Sequence, residues 1–332
     1  MSETAKDWQL RRIGVIGAGA MGSSLASFLG GSLPVVMVCR DGNRAAEILR
    51  NGVRTHGAIE SEAAPIVVRR VSDLARVGGV SALFVATKTT AIPEVAKELR
   101  PLLGHIADQP SGLYVVSYQN GIEPGRYLMD LLGDQRVLRM VLSLGARMEA
   151  DRRSVKITFN SPPHAIGAPG PGNAEASRQI ASVLTEAGLG TQYDEQIELR
   201  VWEKAVINAA ANPVAALVNS SVGELYRSPA RSIVDRLLEE GAAVARTEGM
   251  ALDESYLVRA HRAMESAYDH IPSMVEDVRA GRQSEIGQLN QQIIKHARRV
   301  GVPVPTHEIV DALIETFDWR VYHKSEDGSR RV

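Results

Sequence analysis

The 332-residue chain has a single cysteine, Cys39, so it can form neither an intramolecular disulfide nor a multi-cysteine zinc site. Aromatic residues are scarce at 5%, which leaves Ala, Val, Leu and Ile to build the cores. An excess of either charge is missing: 38 Lys and Arg stand against 39 Asp and Glu, a net charge of -1. That balance offers no global attraction to nucleic acid or to an anionic membrane. No apolar run reaches the ~18 residues of a membrane span. The longest nearly apolar segment, Ala205 to Val218, is interrupted by Asn208, Asn212 and Pro213. Met1 to Leu10, with Glu3, Lys6 and Asp7, has no apolar stretch of signal-peptide length. These absences lead to the expectation of a cytoplasmic protein with neither a membrane nor a nucleic acid as partner.

Hydrophobic residues make up 44% of the chain, enough apolar surface to offset the entropy of ordering. At roughly 150 residues per domain the length suggests two domains. The first half alternates short apolar runs with helical patterns. Ile13 to Ile16, Val35 to Cys39, Ala82 to Ala86 and Leu113 to Val116 read as buried strands, with further candidates at Ile66 to Val71, Val137 to Leu142 and Val155 to Thr158. Buried strands alternating with helices imply a parallel sheet covered on both faces. From about Asp194 helical periodicity takes over, in Glu195–Ala211, Pro229–Glu248, Glu254–Asp269, Gln283–Val300 and Thr306–Phe317. Gly167 to Gly172 reads as a surface loop, and the polar tail from His323 as frayed. The expected fold is α/β: an N-terminal Rossmann-type dinucleotide-binding domain over 1–192, then an all-helical domain over 193–332.

The first strand leads straight into Gly17-Ala18-Gly19-Ala20-Met21-Gly22, followed by a helical pattern. In this spacing Gly17 permits the tight turn, Gly19 lets backbone approach a pyrophosphate, and Gly22 allows close helix–strand packing. The helix N-terminus then presents free N–H groups to the anion. The alternative is a merely tight βα turn. The second strand ends in Cys39-Arg40 rather than in an acidic residue, and a guanidinium there suits a 2′-phosphate. NADP(H) is therefore expected in preference to NAD(H). Asp41 is the competing reading, as a ribose acceptor, and Arg44 reads either as a second phosphate contact or as an exposed helix arginine.

In the second half, Lys204, Asn208 and Asn212 are spaced i, i+4, i+8 and line one side of a helix among small apolar neighbours. Such a stripe suits a small substrate bearing a carbonyl, hydroxyl or carboxylate, or else fixes packing between domains. Pro213 removes an N–H and crowds the carbonyl of Ala209, so a bend or break is expected near Asn212.

Taken in order, these motifs resemble the ketopantoate reductase family (2-dehydropantoate 2-reductases) from about Arg12 to Phe317. The resemblance rests on the Gly17–Gly22 turn, Arg40, Thr87-Lys88, Gln119-Asn120-Gly121, Trp202-x-Lys204-x3-Asn208-x3-Asn212-Pro213, and Ser273-Met274-x2-Asp277-x3-Gly281-Arg282-x-Ser284-Glu285-Ile286. It implies NADPH-dependent reduction of 2-dehydropantoate to pantoate, a step of pantothenate biosynthesis, in a cleft between the domains. By motif, Lys204 and Glu285 are the catalytic pair, with Lys204 as the acid. Asn120, Asn208, Asn212 and Ser273 hold the substrate. Gly17, Ala18, Gly19, Ala20, Met21, Gly22, Arg40, Lys88, Asn120, Ala146 and Glu285 serve the cofactor.

The chemistry is consistent on its own terms. Hydride arriving at a carbonyl carbon builds negative charge on the oxygen, which an ammonium both stabilises and protonates. A carboxylate nearby favours the charged lysine, and no metal is called for. Plainer readings remain: Lys88 as a helix-entry lysine, Asn120-Gly121 as a simple turn, Ser273 as a helix N-cap completed by Glu276, and Glu285 as a surface helix carboxylate. His164 and His307 receive no role.

Three positions depart from the family pattern on the substrate side. His270 and Val222 stand where family members commonly carry asparagines, and Pro272 replaces a more usual serine. Phe159 to His164 also departs from the family's glycine-containing strand turn. A relative acting on another 2-oxo or 2-hydroxy acid is thus the alternative, and a non-catalytic NADPH-binding sensor the remote one. A homodimer is left open.

Overall fold

The computed structural model describes residues 7–132, 136–150, 152–168, 171–267 and 270–326. Glu3, Lys6, Pro169, Gly170, Asp269 and the tail beyond residue 326 lie outside the described residues. The chain forms two compact units. The first runs to Gln119 and resumes from Glu123 to Glu198; the second comprises Asn120–Ile122 and the chain from Leu199 onward. Among the described residues no helix is long and apolar enough to cross a membrane.

In the first unit the strands are β1 (Ile13–Ile16), β2 (Val35–Val38), β3 (Val53–Gly57), β4 (Ser61–Ala63), β5 (Ile66–Val68), β6 (Ala82–Val85), β7 (Tyr114–Ser117), β8 (Val137–Val141), β9 (Leu144–Met148), β10 (Ser154–Asn160), β11 (His164–Gly167) and β12 (Thr191–Tyr193). Its helices are α1 (Ala20–Leu29), α2 (Gly42–Asn51), α3 (Ile92–Leu99), α4 (Pro124–Leu132) and α5 (Ala174–Leu184). The main sheet has the order β12-β11-β8-β7-β6-β1-β2-β5. Pairing is parallel from β8 through β5, and β11 joins β8 antiparallel.

Strand order reverses at β1, with β2 on one side and β6 on the other. In open α/β sheets that reversal opens a crevice at the carboxyl ends of the strands. Successive residues of β2 fall in different cores, Val35 and Met37 on one face and Val36 and Val38 on the other. That two-faced burial explains why the strands read as unbroken apolar runs.

A second sheet has the order β4-β3-β10-β9; of its strands only β10 is foreseen in the sequence, as Val155 to Thr158, and β11 and β12 are not foreseen. Gly167 ends β11 and, like Ala168, is buried rather than part of a surface loop. The atypical Phe159–His164 stretch joins β10 to β11. His164 is buried there, its Nδ1 accepting from the Ser143 N–H at 3.1 Å and its Nε2 lying 2.8 Å from Asn160 Oδ1. It is a hydrogen-bonded core histidine.

The second unit is helical, with α6 (Ile197–Val218, reaching back into the first unit by two residues), α7 (Val222–Arg227), α8 (Arg231–Thr247), α9 (Tyr256–Ser266), α10 (Ser273–Arg279), α11 (Asn290–Val300) and α12 (Pro305–Glu326). Trp202 and Tyr256 are its largest buried side chains, and each such burial is worth about 1.5–3 kcal/mol. Of the bend or break expected near Asn212, the break is absent: α6 runs on through Pro213. It stops where Asn219 takes φ +57°, and the Ser220 N–H closes on the Ala215 carbonyl at 3.0 Å. Ser221 then opens α7 through a reciprocal capping box with Glu224.

His307 is fully buried at the start of α12. Its Nε2–H donates to the Leu237 carbonyl at 3.0 Å, and its Nδ1 faces the Asn290 amide nitrogen at 3.1 Å. Burial lowers its pKa to about 4. Between that value and the ordinary 6.5 the unfolded chain holds the extra proton, so stability rises with pH across the window. Acidification from pH 7 to pH 4 should cost about 3 kcal/mol through this group. Urea titrations at several pH values would show it, and His307→Gln should flatten the slope; an unchanged slope would assign the loss elsewhere.

Candidate active site

One group of candidate residues surrounds the turn after β1. Gly17 has φ +107°, a left-handed conformation that a side chain would strain. A Cβ on Gly17 would also lie 2.9 Å from the Ala86 carbonyl oxygen, so the turn runs hard against the chain leaving β6. A Cβ on Gly22 would come within 2.0 Å of the Gly17 carbonyl oxygen, whereas one on Gly19 meets nothing within 4 Å. The three glycines thus do three jobs: a tight turn, an open approach and close helix packing. Gly19 is the N-cap of α1 and, having no side chain, gives the first N–H groups of the helix no side-chain hydrogen bond. These residues fit a dinucleotide pyrophosphate.

Around the turn, Arg40 follows β2 and is exposed, its Nη1 donating to Glu94 Oε1 of α3 at 2.6 Å. Asp41 is the N-cap of α2 and accepts from the Asn43 and Arg44 N–H groups at 2.9 and 3.1 Å. Those bonds hold its carboxyl below the usual range. Arg44 is not an exposed arginine. It is 4% exposed, bonding Ser23 Oγ at 3.1 Å, the Ala18 carbonyl at 3.4 Å and Glu47 at 3.0 Å. It thereby ties α2 to the glycine turn and to α1.

Lys88 is exposed and precedes the short 3-10 turn Thr89–Ala91. Ala146 lies on β9, partly buried and paired with Ile157 of β10. Gln119, quoted in the sequence motif without a role, ties the carboxyl ends of β6 and β7 together. It donates to the Val85 carbonyl at 2.7 Å and the Thr87 carbonyl at 3.3 Å, and accepts from Ser117 Oγ at 2.7 Å.

A separate group of candidate residues lies in the helical unit. Lys204, Asn208 and Asn212 are half-buried along α6, while Trp202, Ala205, Val206, Ala209 and Ala210 turn into the core. The helix is anchored beside the lysine, where Tyr256 Oη donates to the Glu203 carbonyl at 3.0 Å and Arg259 bonds the Glu203 carboxylate at 2.7 Å. Burial pushes the Lys204 pKa down to about 8, and the Glu285 carboxylate opposes that shift. Glu285 sits half-buried just before the 3-10 turn Ile286–Gln288 rather than on a helix surface.

Ser273 is exposed at the first position of α10, where Pro272 holds the N-cap, so its hydroxyl is not the cap expected. Asn120 is half-buried at the start of the segment that packs with this unit. Its neighbours are fixed there by Gln292, whose Oε1 accepts from the Ile122 N–H at 2.6 Å. Gly121, at φ +101°, would place a Cβ 2.4 Å from the Gln288 carbonyl oxygen. Two of the three substrate-side departures from the family pattern are neighbours too, since the Val222 N–H donates to the His270 carbonyl at 2.9 Å. Val222 is part of the helical core, and burial lowers the His270 pKa.

The fold and the glycine turn together define a Rossmann-type dinucleotide-binding protein with an added helical unit. Residues 13–163 match the family model described as ketopantoate reductase PanE/ApbA, and residues 196–317 match that of its C-terminal domain. The chain belongs to the ketopantoate reductase family, a family of oxidoreductases. It is 28% identical over 300 residues to the 2-dehydropantoate 2-reductase of Archaeoglobus fulgidus, covering 89% of this chain and 93% of that one. Identity to the Aquifex aeolicus enzyme of the same name is 24% over 313 residues, covering 91% and 95%. Among solved structures, the PanE/ApbA family ketopantoate reductase from Ralstonia eutropha superposes with a TM-score of 0.79 at 24% identity, covering 94% and 100%. The ternary structure of D-mandelate dehydrogenase with NADH and anilino(oxo)acetate does so with 0.82 at 22% identity, covering 94% and 99%. These similarities bear on the fold.

Proposed function

We propose that the chain reduces 2-dehydropantoate to pantoate with NADPH, Lys204 being the general acid. The observation behind this reading is a half-buried lysine with a lowered pKa, opposed by Glu285 and followed by two amides on the same helix stripe. Bound NADPH supplies the hydride. Lys204 Nζ donates its proton to the 2-oxo oxygen and stabilises the charge that develops there. Glu285 keeps the lysine protonated until transfer. Asn208, Asn212, Asn120 and the Ser273 hydroxyl orient the substrate by hydrogen bonds without adding charge. On the cofactor side, the Gly17–Gly22 turn receives the pyrophosphate, and Lys88 and Ala146 line its path. Arg40 meets the 2′-phosphate.

Asp41 does not suit the ribose role, because its carboxylate is already engaged at the start of α2. A soluble enzyme of the cytoplasm is the matching location, with a small 2-oxo acid as partner. The second reading, another 2-oxo or 2-hydroxy acid, draws on the joined Val222 and His270, which replace two amides by an apolar and an imidazole group. A site built around polar partners discriminates strongly when those partners change.

The test is cofactor oxidation at 340 nm with 2-dehydropantoate and a panel of 2-oxo acids, NADPH and NADH in parallel. Turnover fastest with 2-dehydropantoate and NADPH is the expected result, and Arg40→Ala should weaken NADPH without affecting NADH. A higher kcat/KM on another acid would replace the substrate. Absence of turnover with every acid would leave the binding-protein reading.

A further inference from the structure

We propose that Glu94 is a built-in competitor of the cofactor's 2′-phosphate and thereby sets how far this chain prefers NADP(H) to NAD(H). The inference rests on the reading of Arg40 given above.

Arg40 and Glu94 are joined at 2.6 Å, and both side chains are exposed, 54% and 68%. Such a pair can exchange one anion for another without uncovering any core. Glu94 stands in the first turn of α3, where the helix dipole favours a carboxylate whether or not Arg40 is on it. Arg40 therefore has an anion in place before any cofactor arrives.

The surroundings keep the corner cationic. Arg69 Nε donates to the Cys39 carbonyl at 3.0 Å, and its Nη2 donates to the Arg40 carbonyl. Its guanidinium lies over Gly42, where a Cβ would sit 3.0 Å from Nη1. Arg69 thus fixes the backbone from which Arg40 projects and adds its own charge to the same place. An open depression of about 430 Å³ adjoins them, lined by Arg40, Arg69, Arg70 and Glu98. Glu98 is engaged elsewhere, accepting from the Val71 N–H at 3.1 Å.

A 2′-phosphate carries about -1.5 to -2 charge and three acceptor oxygens, so it takes the guanidinium from a single carboxylate. The uncharged ribose hydroxyls of NADH do not. Binding NADPH consequently breaks the Arg40–Glu94 pair and leaves a like charge near the phosphate, while binding NADH leaves the pair intact. Glu94 narrows the gap between the two cofactors that Arg40 opens.

Calorimetric titration of NADPH, NADH, adenosine 2′,5′-bisphosphate and 5′-AMP into the wild type, Glu94→Gln, Arg40→Gln and the double variant tests this directly. Glu94→Gln should tighten NADPH and the bisphosphate about fivefold at low salt, the most that an exposed ion pair is worth, and leave NADH and AMP unchanged. The gain should shrink at high salt and vanish in the double variant. Unchanged NADPH affinity in Glu94→Gln, while Arg40→Gln weakens it, would overturn the proposal and leave the Arg40 reading standing. An equal change for both cofactors would overturn it too. NADPH affinity unaffected by Arg40→Gln would remove the Arg40 reading, and the proposal with it.

Discussion

Replacing Lys204 with alanine is expected to lower kcat at least a hundredfold and leave NADPH affinity within about twofold. Loss of one preorganised donor at a developing oxyanion costs ~3 kcal/mol, and in the proposed mechanism the same group also supplies the proton. The pH profile gives the independent check. With the pKa lowered to about 8, reduction should be flat below that pH and fall about tenfold per unit above it, as the ammonium is lost. Glu285→Gln removes the carboxylate that favours the ammonium, so the alkaline limb should move to lower pH. Equal losses of turnover and of NADPH affinity in Lys204→Ala would make the lysine a structural residue.

The second large effect is expected at Gly22. Its added Cβ would meet a backbone oxygen at 2.0 Å and the Ala86 Cβ at 3.1 Å, so Gly22→Ala must push α1 away from the turn it packs on. Overpacking of this kind costs about 1–3 kcal/mol, a fall of roughly 3–10 °C in the melting temperature of a unit this size. NADPH affinity should fall with it, because the helix N-terminus moves. Gly19→Ala is the contrasting case. Gly19 has φ -74° and no neighbour near its Cβ position, so the fold should accept alanine. On the proposed reading the methyl group would instead stand where the pyrophosphate approaches the backbone. The expected pattern is weaker NADPH binding in both variants and a lower melting temperature only in Gly22→Ala. Equal melting temperatures would refute the packing argument.

What could be read from the sequence follows from which residues work through near neighbours. Strands β1, β2, β6 and β7 are buried on both faces and so appear as short apolar runs. In the second sheet β10 is legible as Val155 to Thr158, but its neighbours escape because β3 reads Val-Arg-Thr-His-Gly and β9 reads Leu-Gly-Ala-Arg-Met, strands only partly buried and diluted by Gly, Ala and Arg. β12 is three residues long, too short for any periodicity to register. The glycine turn and the α6 stripe are patterns of fixed spacing and are visible at once. Arg44 is not, since its position depends on Ser23 and Ala18, which only the packing of α2 beside α1 brings near. The same holds for Arg40 and Glu94, 54 positions apart. Pro213 argues for a break, yet one lost hydrogen bond is a small deficit in a helix buried along most of its length by Trp202, Val206, Ala210 and Val214.

The three residues Asn120–Ile122 have a bearing on how such proteins can be recombined. Ile122 is buried among the apolar side chains of the helical unit, although it lies in the middle of the sequence that builds the first. A splice at Glu198/Leu199 would therefore hand a recipient an incomplete helical module, with Gln288 and Gln292 left facing the wrong tripeptide or none. Exchange of helical units between relatives requires crossovers that also carry this tripeptide, so its three residues should be inherited with the C-terminal half rather than with the sequence around them.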